Sequence, residues 1–176
     1  MWVFIFGDMC VFAVLFSVYL VARGHNPLLF QHAQSLLNRD LGVLNTLNLL
    51  ASSLCVVLAV RAKSSERFAP LASKLILGAM FFGACFVAVK VVEYSDKLSH
   101  GITPATNDFF MYYFILTGLH LAHLLLGMVV LTVLWRLSKK PVLGKYERAF
   151  FEGGACFWHM VDLLWIVLFP LLYLVR

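Results

Sequence analysis

The chain has 176 residues, 62% of them hydrophobic and 13% charged, with a formal net charge of +5. Soluble domains average roughly 45–50% apolar and about 25% charged residues, so an ordinary soluble domain is excluded and an integral membrane protein is indicated. The basic residues fall between apolar stretches, which ties them to membrane topology and sets nucleic-acid binding aside.

A membrane-spanning helix needs about 20 mostly apolar residues, and by that measure five spans are predicted. Met1 runs straight into apolar sequence without a basic leader region or a small-x-small site, so the first segment is expected to remain in the mature protein. The first span covers Trp2–Ala22, with Asp8 about two turns inside it, after Gly7. An intramembrane carboxylate needs a partner or a role, and Asp8 is read either as a proton-holding group or as an interhelical contact. The following stretch, Arg23 to Gly42, is the longest connection and leaves room for a short surface helix.

The second span covers Val43–Val60, where Asn45, Asn48 and Ser52 follow i, i+3, i+7 and form a polar stripe, widened by Thr46 and Ser53. Uncharged polar residues of this kind join helices together. After the break Arg61–Pro70, the third span covers Leu71–Val92, with Gly78 and Gly83 allowing close approach of a neighbour. Lys90 and Glu93 predict an i, i+3 ion pair at the membrane edge, with Lys90 reaching out to the interface.

The break from Tyr94 to Asp108 holds Gly101 and Pro104 and leads to the fourth span, Phe109–Trp135. There Thr117, His120 and His123 share a face that Gly127 continues. Two such histidines can ligate a metal, or haem when supplied by separate helices. No HExxH or Glu-x-x-His pattern accompanies them, and i, i+3 positions on one helix point the same way.

After Ser138–Arg148, the fifth span covers Phe150–Val175 and carries Glu152, His159 and Asp162 on neighbouring positions of one side. Facing His120 and His123, these residues predict a His/carboxylate network pinning two helices, of which a proton relay is the sharper version. Trp158 and Trp165 share a face and are expected to pack on another helix, whereas Trp2, Trp135 and Tyr173 lie near span ends as interfacial anchors do. Cys10, Cys55, Cys85 and Cys156 fall in four different spans with no CxxC, and read as small buried apolar residues.

Arg61, Lys63, Arg67, Lys74, Arg136, Lys139, Lys140, Lys145 and Arg148 lie on one side of this layout, against Arg23, Lys90, Arg39, Lys97 and Arg176 on the other. The expected architecture is therefore an all-α integral membrane protein with one membrane domain over residues 1–176. It is a five-transmembrane-helix bundle with a cytoplasmic N-terminus and a periplasmic C-terminus. No nucleophile elbow, phosphate loop or paired catalytic carboxylates are present.

Several motifs occur together and in order: Asn45-Thr46 with Leu49-Leu50-Ala51-Ser52, Glu93-Tyr94, Thr117-Gly118-x-His120-x-x-His123, Glu152, and Trp158-His159-x-Val161-Asp162-x-x-Trp165. With them the chain resembles the subunit III family of haem-copper oxidases, the family of cytochrome c oxidase subunit III, over nearly its whole length. The resemblance implies a multi-pass subunit of the bacterial inner membrane that packs beside the large haem-bearing catalytic subunit. That subunit binds phospholipid between its helices, supports the stability and proton supply of its partner, and binds no haem, copper or non-haem iron itself. In the family a glutamate preceded by serine stands where Gly7-Asp8 stands here, which makes Asp8 the candidate proton-related carboxylate. The five spans and the Trp2-x-Phe4-x-Phe6-Gly7-Asp8 opening look most like the NorE-type accessory branch of nitric oxide reductase. The alternatives are a stand-alone membrane cytochrome or metal-binding protein using the intramembrane histidines, and a small proton-coupled transporter built on Asp8 and Glu93.

Overall fold

Among the described residues, apolar runs broken by Pro, Gly and Asn fold as six α-helices. The computed structural model describes residues 2–65 and 68–175, without the side chains of Trp2 and Phe4. The Trp2 anchor, the Phe4 part of the opening motif and the charges of Arg67 and Arg176 lie outside the described residues. Helix α1 spans Trp2–His25, α2 Pro27–Ser35, α3 Arg39–Lys63, α4 Ala69–Ser99, α5 Asp108–Ser138 and α6 Lys145–Phe169. A π-helical turn, Pro170–Leu174, closes the chain. Five of these segments are long and apolar enough to cross a membrane; α2 is the short helix expected in the first connection. No strand occurs among the described residues.

The helix boundaries follow local chemistry. Pro27 stands at the first turn of α2, where a missing N–H costs nothing. The Asn38 side chain caps α3 by accepting from the Asp40 and Leu41 amides at 3.1 and 3.5 Å. Asn107 does the same for α5 through the Phe110 amide at 2.9 Å. Past the end of α4, Gly101 takes φ +73°, a conformation that side chains with a Cβ rarely adopt. Asn38→Ala is expected to lower the stability of the detergent-solubilised chain by about 1 kcal/mol. Equal thermal unfolding of variant and parent would show that the cap carries no weight.

The helices outrun the apolar cores that predict them. Helix α4 continues to Ser99 instead of ending near Val92, because its last turns still face protein: Lys97 is buried, and its ammonium donates to the Leu36 carbonyl at 2.6 Å. At the opposite end of the bundle, Lys63 of α3 donates to the Ser138 carbonyl at 3.1 Å and to the Lys140 carbonyl, satisfying carbonyls at and just past the end of α5.

Helices α3 and α4 share the most extensive packing, and α6 lies against both α3 and α5. Contact between α4, α5 and α6 depends on glycines, among them Gly83 and Gly127. A Cβ at Gly83 would lie 2.7 Å from Met128 Sδ and 3.1 Å from the Trp158 ring, and one at Gly127 would lie 2.8 Å from that ring. The Trp158 indole therefore fills space that α4 and α5 leave by having no side chain there. Helix α1 packs on α5 and α6, and its far end meets the terminal turn, where Tyr19 donates to the Leu171 carbonyl at 3.3 Å. Gln34 of α2 donates to the Leu172 carbonyl at 3.0 Å. The Val175 amide closes on the Pro170 carbonyl at 2.9 Å, and α1 and α2 supply donors to the next two carbonyls.

Candidate functional site

The most enclosed ionic group in the bundle is built from α4, α5 and the terminal turn. Lys90 and Glu93 are 1% and 2% exposed, and the ammonium lies 2.8 Å from Glu93 Oε2. Lys90 also donates to the Tyr173 hydroxyl at 3.0 Å. Tyr173 and Tyr113 in turn donate to Glu93 Oε1 at 2.5 and 2.9 Å. The Trp165, Tyr113, Tyr173 and Tyr94 rings surround the ammonium at 4.9–5.9 Å from its nitrogen. The predicted ion pair forms, but Lys90 does not reach the interface. Aromatic faces and hydroxyls give the cation the environment that water would otherwise supply. Tyr173 is likewise no interfacial anchor: it is buried, with its hydroxyl on the carboxylate.

A second chain of bonds braces this group. Thr117 donates to the Tyr113 carbonyl at 2.6 Å, which uses its only proton, so the Tyr94 hydroxyl at 2.6 Å is the donor to Thr117. Loop and helix ends therefore hold the hub from three sides: Pro170 starts the turn that swings Tyr173 inward, and α1 and α2 clamp that turn.

The predicted histidine and carboxylate positions do not come together as one network. His120 is fully buried between Phe86 and Trp165, with ring centroids 5.7 and 5.2 Å away, and neither nitrogen has a hydrogen-bond partner. His123 turns instead to α1, where its Nε2 lies 3.3 Å from Asp8 Oδ2, against an edge-on Phe12 ring at 5.4 Å. His159 pairs with α3, its Nδ1 2.7 Å from Ser53 Oγ, and Asp162 lies beside the same hydroxyl with Oδ1 unbonded. Glu152 leaves the seam altogether: it is exposed, and its carboxylate accepts from Arg148 at 3.3 Å. The expected pairing of Glu152, His159 and Asp162 with His120 and His123 is thus replaced by separate contacts. No group of three or more His, Cys, Asp and Glu side chains suited to hold a metal occurs among the described residues.

Joining of α3 to α6 falls to neutral side chains. Trp158 donates to Ser52 at 3.1 Å, and Ser52 passes its proton to the Ala79 carbonyl at 2.8 Å, linking three helices. Trp165 donates to Thr46 at 3.0 Å, and Thr46 to the Gly42 carbonyl at 2.9 Å. Asn45, on the same stripe, is fully buried with both amide atoms unbonded, and Asn48 is half-buried. The tryptophans do pack on another helix as their spacing implies. Sequence spacing alone does not mark Tyr113 and Tyr173 as members of this group. Tyr113 carried a signal, standing four residues before Thr117 on the same face; Tyr173 carried none, because its position depends on the turn after Pro170.

Comparison with known proteins follows the same whole-chain extent. Residues 1–175 match the family model described as Cytochrome c oxidase subunit III. The chain is similar to the cytochrome bo(3) ubiquinol oxidase subunit 3 of Buchnera aphidicola subsp. Acyrthosiphon pisum, with 30% identity covering 99% of this chain and 84% of that one. It is similar to the cytochrome c oxidase subunit 3 of Bacillus sp. strain PS3 at 28% identity, covering 98% and 83%. It is also similar to the heme-copper oxidase subunit I+III of Aeropyrum pernix, at 27% identity over 99% of this chain and 22% of that longer one.

Proposed function

The chain belongs to the cytochrome c oxidase subunit III family, and from that we propose that it is the accessory subunit of a membrane oxidase, packed against a larger haem-bearing catalytic subunit. The carrying observation is its match, end to end, to part of a relative whose name joins subunits I and III in one polypeptide. A module fused to subunit I in one relative is one that sits beside subunit I when separate. The interior supports this reading, since Lys90 and Glu93 neutralise each other inside the bundle and no substrate is needed to complete them.

Further parts of the proposal rest on smaller observations. The basic loops between α3 and α4 and between α5 and α6 favour a cytoplasmic location for the N-terminus and for those loops. Phospholipid is a fitting companion: a groove between α3 and α6, lined by Val57, Val60, Ala155 and Cys156 together with Arg61, Glu152 and His159, offers apolar walls for an acyl chain and polar groups of both charge signs for a headgroup. Asp8, near the surface between α1 and α5, is the carboxylate we assign to the proton supply of the partner. Its test is Asp8→Ala in the assembled enzyme, expected to slow sustained turnover without altering the haem spectrum; normal turnover would reduce Asp8 to packing.

Affinity purification of the tagged chain from native membranes in mild detergent tests the proposal as a whole. A large haem-bearing subunit is expected to co-purify in a constant ratio, and its catalytic reaction decides between an oxidase and the nitric oxide reductase expected from the opening motif. Recovery of the chain alone under conditions that preserve other membrane complexes would overturn it.

A further inference from the structure

Ser53 of α3 stands between two titratable groups of α6 with only one proton to give. Its Oγ lies 2.7 Å from His159 Nδ1, and the Asp162 carboxyl group shares the same hydroxyl. Two arrangements satisfy both contacts. In one, Nδ1 of a neutral His159 donates to Ser53 and Ser53 donates to the Asp162 carboxylate, which leaves His159 Nε2 a bare lone pair. In the other, Asp162 is the acid and donates to Ser53, Ser53 donates to Nδ1, and the ring proton sits on Nε2. The two differ by one proton on the group as a whole and by the tautomer of the imidazole.

We propose that Ser53, His159 and Asp162 form a relay that exchanges one proton between the α3/α6 groove and the interior, with the Asp162 carboxyl as its store. A proton brought by water bonds to His159 Nε2. The Nδ1 proton then passes to Ser53 Oγ, and the former Ser53 proton passes to Asp162. The group goes from a charge of −1 to zero, nothing is oxidised or reduced, and release is the same transfer in reverse. His159 is half-buried and lines the groove, whose other polar residues, Arg61 and Glu152, are exposed to water. Asp162, about one turn further along α6, is 6% exposed, and its Oδ1 makes no hydrogen bond with any other protein atom. No ion pair with Asp162 forms among the described residues. At this depth an uncompensated charge is costly, so the loaded, uncharged form is the resting one.

The other charged and titratable groups around α6 are engaged elsewhere. On α6 itself Glu152 accepts from Arg148. Helices α5 and α4 present His120 and Lys90 to the Trp165 ring, and Lys90 is paired with Glu93. Tyr173 of the terminal turn donates to that same glutamate, and Asp8 of α1 faces His123. From α3, Arg61 lines the groove two turns from Ser53, and Cys156 of α6 lies beside it.

The relay goes beyond the proton role assigned to Asp8 and shares no residue with it, and its test needs only the chain. The full-length protein, with ring-labelled histidine and carboxyl-labelled aspartate, would be titrated by NMR in detergent. As the pH falls, neutral His159 is expected to change from the Nδ1–H to the Nε2–H tautomer at the midpoint where Asp162 gains its proton. Ser53→Ala is expected to abolish that tautomer change, and Ser53→Thr, which keeps a hydroxyl, to preserve it. A single neutral tautomer throughout, a tautomer change at a midpoint different from that of Asp162, or a change that survives Ser53→Ala would overturn the proposal. Should Ser53→Ala fail to fold, the parent titration decides alone. Failure of the chain to co-purify with a haem subunit would leave this titration untouched, so the two readings fail independently.

Discussion

Glu93→Leu is expected to destabilise the bundle by about 3–5 kcal/mol, since it strands the Lys90 ammonium in the interior without its counter-charge. The same change removes the acceptor shared by Tyr113 and Tyr173. The terminal turn that Tyr173 anchors should then loosen together with α4. Lys90→Met combined with Glu93→Leu is expected to recover a large part of the loss, because no buried charge remains unpaired. Thermal unfolding of the three variants in detergent checks this. A double variant as unstable as Glu93→Leu alone would mean that the hub is held by its tyrosines and not by charge compensation.

Gly127→Val has the second large effect. A Cβ alone at this position would lie 2.8 and 2.9 Å from two atoms of the Trp158 ring, and a rigid indole cannot bend aside. Overpacking of this kind costs about 1–3 kcal/mol, occasionally more. The displaced indole also loses its bond to Ser52, which ties α6 to α3. Gly118→Ala on the same helix serves as the control, since nothing lies within 4 Å of a Cβ there. Its expected effect is nil or slightly stabilising, because Ala is the better helix former. Equal unfolding midpoints for Gly127→Val and Gly118→Ala would contradict the close packing of α5 on Trp158.

Hydropathy and the breaker residues carry the five spans, and each predicted span lies within one described helical segment once the turn after Pro170 is joined to α6, except for Val175, which is extended. Helix ends were less legible, because Glu93 and Lys97 are polar by sequence yet face protein. The candidate site was half legible. Spacing placed His120 and His123 on one face, but residues three apart are still turned about 60° from each other at 3.6 residues per turn. That angle is enough to send His123 to Asp8 on α1 and His120 between α4 and α6. Glu152 lies on the same stripe as His159 yet two turns nearer the membrane edge, where Arg148 offers a solvated partner. For Lys90, sequence spacing finds Glu93 but cannot show that aromatic rings from α4, α5, α6 and the terminal turn converge on it. Which helices become neighbours is a tertiary fact, and the partner of each buried polar group depends on it.

The central claim is that the polar residues inside this chain hold a subunit together and serve a partner's chemistry without binding a redox centre. A reduced-minus-oxidised absorbance spectrum with metal analysis, taken on the chain after separation from its co-purifying complex, tests it most directly. No haem absorbance and no stoichiometric metal are expected in the separated chain, with the haem retained by the large subunit. Haem or metal bound in stoichiometric amount, and lost on His120→Leu or His123→Leu, would contradict it.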